Sequence, residues 1–483
     1  MTRSDLLAQV HQYFDTGGLA TDLNRRLGWR TESDLGPDAP AATHAALRGY
    51  LSDEIQPWLS RLGFAVHLHD NPVPGAGPLL LAHRVEDPAL PTVLSYGHGD
   101  VVNGQDARWR DGLSPWTLTI EGDRWYGRGS ADNKGQHSIV LAALEHTLQA
   151  RQQRLGYNVT VLLEMGEEAG SPGLAAFCEQ QRSALRADLF LASDGPRAQA
   201  SRPTLFLGSR GAVNFSLRVN ARERAYHSGN WGGVLSNPAV RLSHALACLV
   251  GPQGRILVPG LLPPPPPERL RQALRDVPVG GGHDDPELSP GWGEPGLSPA
   301  EQLVGWNTLE VLALGAGSAT RPVNAIPPNA VAHCQLRFVV GTDWTHLQDH
   351  VRAHLDAHGF DDVQVNVSMA CGATRLDLDN PWVDWALASM QASAGQPAVL
   401  LPNLAGSLPN DLFADGLGLP TLWVPHSYPA CAQHAPNEHL LGSVAREGLA
   451  VMAGLFWDLG EAGSAPWQAG RVKPNRAEAP AAA

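Results

Sequence analysis

Three apolar runs organise the first half of the chain: Thr92-Val-Leu-Ser-Tyr-Gly-His98, Asn158-Val-Thr-Val-Leu-Leu-Glu164 and Asp188-Leu-Phe-Leu-Ala-Ser-Asp194. Short runs of this kind, apolar at nearly every position, are buried on both faces, as in the centre of a parallel sheet. Ile139 to Leu148 between them reads as a buried helix, so strand, loop and helix alternate as crossover connections require. Upstream, Leu6, Leu7, Val10, Tyr13 and Phe14 recur at helical spacing, and a second helix is expected from Thr43 to about Leu62. Residues 63–69 and Leu79–His83 alternate like half-buried strands.

From about Gly208 the pattern changes. Val213 to Val219 alternates strictly, a helix is expected at 235–250, and further alternating strands lie near 307–314 and 330–339. A helix near 343–358 and a strand at 363–369 complete a small α+β unit. Residues 251–305 are loop-rich, with five prolines at 263–267 and three glycines at 280–282, and read as a surface excursion. His283-Asp-Asp285 inside it reads as solvated loop. After Gly372 the earlier character returns, with a helix at Trp382–Ala394 and a strand at Pro420-Thr-Leu-Trp-Val-Pro. The expected fold class is therefore α/β, a mainly parallel sheet flanked by helices, with an inserted smaller α+β domain. The expected division is 1–207 and 372–461 for the larger domain and 208–371 for the inserted one. An Ala-, Pro- and Gly-dense tail at 462–483 is expected to be disordered.

Length agrees with this division, because 483 residues exceed one ordinary core. With 43% hydrophobic and 17% charged residues the chain reads as globular, and a net charge of −13 argues against a nucleic-acid partner or attraction to anionic lipid. Five scattered cysteines (Cys178, Cys248, Cys334, Cys371, Cys431) form no zinc-knuckle or disulfide spacing and suit a reducing cytoplasm. The first residues lack a secretory apolar run, and no stretch approaches a membrane span.

Candidate chemistry sits at the strand ends. His98 and Asp100 are two residues apart, so both point to one side of an extended segment: one can ligate a metal while the other orients the imidazole. The second and third strands lead to Glu167, Glu168 and Asp194 at the same edge. Gly127, Gly129 and Gly135 around Asp132 do not match a phosphate-loop spacing. Two histidines, several carboxylates and no cysteine describe a hard-to-borderline metal site, with zinc the first choice. One catalytic zinc needs three protein ligands, whereas five candidates and a spare glutamate suit two ions sharing a carboxylate, the spare glutamate serving as general base.

His98-Gly-Asp100, Gly127-Arg-Gly-Ser-Ala-Asp132, Glu167-Glu168, Ser193-Asp194-Gly195 and His434-Ala-Pro-Asn-Glu438 together resemble, in order, the five site segments of the metallopeptidase family that includes carnosinase, cytosolic nonspecific dipeptidase, carboxypeptidase G and aminoacylase. The resemblance runs from about residue 45 to 455. It implies that Asp132 bridges two divalent ions, zinc first and manganese or cobalt as alternatives, that His98 and Asp194 complete one shell and that Glu168 and His434 complete the other. Asp100 would orient His98, and Glu167 would move the proton from water to the leaving nitrogen. The peptide bond after Asp132 is often cis in relatives.

The resemblance further makes 208–371 a lid through which two chains pair, with His227 of Tyr226-His-Ser-Gly229 reaching the other subunit's site as an oxyanion donor. Asn324, Arg337, Gly406 and Ser407 fall where dipeptidase-like relatives hold the substrate carboxylate. Aspartate at 194 and the Gly406-Ser-Leu-Pro stretch lean toward the dipeptidase branch. The implied function is amide hydrolysis in small carboxylate-bearing substrates by a dipeptidase or carboxypeptidase-like enzyme. The rivals are an N-acyl or N-carbamoyl amino acid amidohydrolase and a catalytically idle relative acting as a binding or scaffold protein.

Overall fold

The computed structural model describes residues 1–281 and 285–472. His283 and Asp284 of the His-Asp-Asp stretch therefore lie outside the described residues. The larger sheet has eight strands in the order Ala65–His69, Leu79–Arg84, Asn158–Glu164, Thr92–His98, Leu189–Ala192, Thr421–Trp423, Thr204–Phe206 and Val399–Leu401. The four strands from Asn158–Glu164 to Thr421–Trp423 run parallel, and the strands at Ala65–His69 and Leu79–Arg84 add an antiparallel edge. His98 pairs with Glu164 in the parallel register, which brings the ends of neighbouring strands to one level.

Alternation along these strands splits the core into two layers. Val93, Val159 and Val161 face the helices Lys134–Ala150 and Gly442–Leu459. Leu94, Tyr96 and Leu162 face the other way, toward Phe190, Phe413 and Trp423. Phe190 and Trp423 lie 4.9 Å apart, and Phe206 stacks on Trp423 at 5.8 Å. A strand covered on both sides must be apolar at every position, which is why these three runs stand out in the sequence.

A second, four-stranded antiparallel sheet follows the order Thr308–Gly315, Asn329–Phe338, Gly211–Asn220, Gln364–Cys371. The helices Pro238–Leu249 and Leu347–Ala357 cover one face and enclose a separate core that includes Phe215, Leu217, Leu242, Leu336 and Val351. The chain enters and leaves this unit through adjacent segments, where the N–H of Thr374 donates to the Ser209 carbonyl at 3.0 Å. Gly208 permits that approach, since a Cβ there would lie 2.2 Å from the Thr374 oxygen.

Three expectations need correction. The helix expected from Thr43 to Leu62 is interrupted: Ala41–Gly49 and Gln56–Arg61 flank a widened turn at Tyr50–Ile55. Pro57, which lacks an N–H, stands two residues past the end of that turn. The stretch 251–305 is more than surface loop. It holds the helices Glu268–Leu274 and Pro299–Gly305, which bury Leu270, Leu274, Ala300 and Val304 together, and Ser298 and Glu301 cap the second reciprocally. Residues 462–472 are not a free tail, because Ala465 and Trp467 are buried and the Trp467 ring lies 4.7 Å from Trp382. Residues 473–483 lie outside the described residues. Among the described residues, no helix is long and apolar enough to cross a membrane.

Because Trp467 closes the core against Trp382 and Tyr157, Trp467→Ala is expected to lower the unfolding free energy by about 3–5 kcal/mol. Urea denaturation checks this, and a change within about 0.5 kcal/mol, the size of a surface substitution, would contradict the packing.

Candidate metal centre

Asp132, Glu167, Glu168, Asp194 and the two histidines converge at the ends of the parallel strands. Asp132 lies between the histidines: His98 Nε2 is 3.0 Å from its Oδ1, and His434 Nε2 is 3.1 Å from its Oδ2. Asp194 Oδ2 is 3.6 Å from His98 Nε2, and Glu168 Oε2 is 3.0 Å from His434 Nε2. The ligand atoms of His98, Asp132 and Asp194 thus form one tight group and those of Asp132, Glu168 and His434 a second, with Asp132 common to both. Glu167 stands beside both, its Oε2 3.9 Å from His98 Nε2.

Asp100 fixes three of these groups. The Nδ1–H of His98 donates to the Asp100 carbonyl at 3.1 Å, and the Asp100 carboxylate lies 3.4 Å from the same nitrogen. Since a carbonyl can only accept, Nδ1 carries a proton, and whenever the ring is neutral it is Nε2, facing Asp132, that keeps the lone pair. The same carboxylate accepts the backbone N–H groups of Glu167 at 3.2 Å and Glu168 at 3.1 Å, so it also sets the turn that presents both glutamates.

Asp132 is held by a residue that lies inside a recognised segment but had no assigned role. The buried Glu438 carboxylate accepts the backbone N–H groups of Ala131 at 2.9 Å and Asp132 at 3.0 Å, and pairs with the buried Arg128 at 2.7 Å. The Asp132–Asn133 peptide is cis. Asn133 donates to the Ser193 carbonyl at 2.8 Å, joining this loop to the segment that carries Asp194. The signal for Glu438 was its fixed distance from His434; nothing in the sequence identifies it as a partner of Arg128. Ala432, His434 and Asn437 all adopt left-handed φ (57°, 61° and 65°), so the loop carrying His434 is strained at three non-glycine residues.

The electrostatics follow from crowding. Burial, then the neighbouring Asp132 charge, raises Asp194 to about 6 and Glu168 to about 7. Glu167 is pushed well above the ordinary carboxylate range by burial and by Asp194, Asp132 and Glu168, against the pull of His98. Burial opposes ionisation of Asp132 too, but hydrogen bonds from both histidines prevail and hold it below its usual range. Hydrogen bonds to Asp132 and Glu168 raise His434 to about 10. Asp194 Oδ2 is buried without a hydrogen bond. These residues fit a pair of divalent ions: oxygen and imidazole donors converge, one buried oxygen lacks a partner, and the crowded carboxylates repel one another unless cations lie between them.

The remaining expected residues lie on or beside the lid. Arg337 Nη1 donates to Ser407 Oγ at 2.9 Å, next to Gly406, so these three are together. Arg210, absent from the sequence reading, joins them: its Nε donates to the Ala405 carbonyl at 2.6 Å and its carbonyl accepts from Ser407 Oγ at 2.7 Å. Burial, then the facing Arg337, lowers its guanidinium to about 10. His227 is exposed, its Nδ1 accepting from the Gly229 N–H at 3.1 Å, and the Asn324 carbonyl accepts the N–H of the adjacent Ser228. Among the described residues neither His227 nor Asn324 shares a hydrogen bond or ion pair with the acid cluster.

A parallel-centred sheet with an inserted α+β unit, presenting two histidines and a shared buried carboxylate at its strand ends, is a scaffold of the dinuclear metallohydrolase type. The chain belongs to peptidase family M20/M25/M40, whose pattern matches residues 94–458. It is 38% identical to rat (Rattus norvegicus) Beta-Ala-His dipeptidase over 188 residues, 38% of this chain but 37% of that protein's length. It is 28% identical to the cysteinylglycine-S-conjugate dipeptidase of Corynebacterium striatum over 334 residues, covering 66% of this chain and 70% of the relative. The fold matches human carnosine dipeptidase 1 with a TM-score of 0.77 at 22% identity, covering 94% of this chain and 99% of that one.

Since Asp194, Glu168 and His434 must shed protons to act as ligands, and in the metal-free protein they hold them to about 6, 7 and 10, divalent-ion binding is expected to release protons. Affinity should then rise as pH increases from about 6 to about 8. Calorimetric titration in buffers of different ionisation enthalpy measures both quantities; affinity that is flat or falls over that range would contradict the ligand set.

Proposed function

We propose that this chain is a divalent-metal-dependent dipeptidase, hydrolysing the amide bond of small substrates that carry a free carboxylate. The observation that carries the reading is the placement of Asp132 between His98 and His434, with Glu167 beside them as a carboxyl group not needed as a ligand. The dipeptidase relatives support the substrate class.

In this reading His98 and Asp194 hold one ion, Glu168 and His434 the other, and Asp132 both. When bound, such a pair supplies Lewis acidity that acidifies water and polarises the substrate carbonyl; zinc suits the imidazole and carboxylate donors, with manganese or cobalt as alternatives. Glu167 accepts a proton from the attacking water and returns it to the departing nitrogen. Burial raises its carboxyl well above the ordinary range, and a carboxyl so raised can take up a proton and give it back. Asp100 keeps His98 in the required tautomer.

Arg337, Ser407 and Gly406 receive the substrate carboxylate, with Asn324 completing the set, and the paired guanidinium groups of Arg210 and Arg337 add positive charge there. His227 serves the second subunit of a homodimer as oxyanion donor. Exposed Val311, Leu312 and Leu314 on the edge strand Thr308–Gly315 support pairing through the lid. All five cysteines are free thiols, which supports a cytoplasmic setting.

A panel of dipeptides, N-acyl and N-carbamoyl amino acids incubated with metal-loaded protein tests the reading. Release of two amino acids from dipeptides is expected, abolished by a chelator and reduced roughly 10²–10⁴-fold in kcat by Glu167→Gln. Turnover of acyl or carbamoyl substrates alone would make the chain an amidohydrolase. Metal binding with no turnover of any substrate would make it a binding protein.

A further inference from the structure

The lid carries a second convergence of metal-ligating side chains, built from a different chemistry. Cys248 lies in the last turn of helix Pro238–Leu249, and His354 and His358 lie in and just beyond the last turns of helix Leu347–Ala357. Four residues apart, the two histidines share one helical face, and the neighbouring helix brings the cysteine to them. The Cys248 Sγ and one nitrogen from each ring all lie within 4.8 Å of one another. The two rings are 4.3 Å apart between centroids.

Each imidazole has one nitrogen held by a main-chain carbonyl. His354 Nε2–H donates to the Cys248 main-chain carbonyl at 2.8 Å, and His358 Nδ1–H donates to the His354 carbonyl at 2.8 Å. A carbonyl only accepts, so the proton of each neutral ring is placed on that nitrogen and the lone pair on the other. Main-chain carbonyls play the same part behind metal-bound histidines, fixing tautomer and ring plane. Cys248 is half-buried, with Sγ 3.0 Å from the Ala245 carbonyl. None of the three residues takes part in the acid cluster or its supports.

We propose that Cys248, His354 and His358 form a separate site on the lid for one zinc-class ion, held by a thiolate and two imidazoles with a fourth position open to water. The Cys248 sulfur keeps the electron pair of its S–H bond and donates it to the ion, while the proton passes to solvent; no redox change occurs. The ion ties together the carboxyl-terminal ends of the two helices that cover the lid sheet. A thiolate selects zinc or cobalt over manganese or magnesium, so manganese suits the oxygen-rich acid cluster but not the lid site.

The proposal is independent of the peptidase reading, and so is its test. Cobalt(II) is titrated into metal-free full-length protein while the near-ultraviolet spectrum is recorded, because thiolate-to-cobalt charge transfer absorbs there and histidine–carboxylate sites produce no such band. Because the acid cluster competes for cobalt, the band is expected to reach its plateau within three ions per chain, to persist in Asp132→Asn and to be lost in Cys248→Ser. His358→Asn, which alters an exposed ring, should keep the native circular dichroism and weaken the band-forming affinity at least about tenfold. No band in folded wild-type protein, a band undiminished in Cys248→Ser, or unchanged affinity in His358→Asn would overturn the proposal.

Discussion

The carboxylate of Asp132, with one oxygen 3.0 Å from His98 and the other 3.1 Å from His434, is the contact on which the arrangement depends. Glu167, Glu168 and Asp194 approach the same few ångströms of interior, a concentration of acid that the ordinary rules of burial forbid. Burial and the neighbouring charges raise all three carboxyls, and hydrogen bonding to Asp132 and Glu168 raises His434. Two cations would relieve this crowding, and the converging oxygen and imidazole atoms are donors that divalent ions take.

Holding these groups together is the work of two further buried carboxylates. Asp100 joins the end of one central strand to the turn after the next by fixing His98 and accepting two N–H groups from the glutamate turn. Glu438 plays the corresponding part for Asp132, accepting N–H groups from its loop while Arg128 balances the charge. Both act by accepting main-chain hydrogen bonds, which are strong when the acceptor is ionised and the surroundings exclude water. A buried ion pair such as Arg128–Glu438 adds little net stability over an apolar pair, yet loss of either partner strands a charge. Its value here is positional.

Much of this was legible in the sequence because burial on both faces leaves a plain signature. The apolar runs ending at His98, Glu164 and Asp194 announced the central strands, and the strict alternation of Val213 to Val219 announced a sheet with one covered face. The sequence reading was weaker where tertiary contact decides the outcome. The composition of residues 462–472 suggests disorder, but Trp467 finds a cavity beside Trp382 that no local pattern reveals. The proline-rich excursion hid two helices whose apolar faces meet each other, although Ser298-Pro-Ala-Glu301 was a readable cap. Arg210 and Glu438 escaped notice for a related reason: a buried charge is recognisable only through its partner, and the partners lie far away in the chain.

The central claim is that Asp132 is shared by two ions, and anomalous scattering from a crystal of wild-type protein soaked in zinc tests it most directly. Two peaks about 3.5–4 Å apart, one toward His98 and Asp194 and the other toward Glu168 and His434, are predicted, with an Asp132 oxygen on each. A single peak, or a pair that leaves Asp132 uncoordinated, would contradict the account.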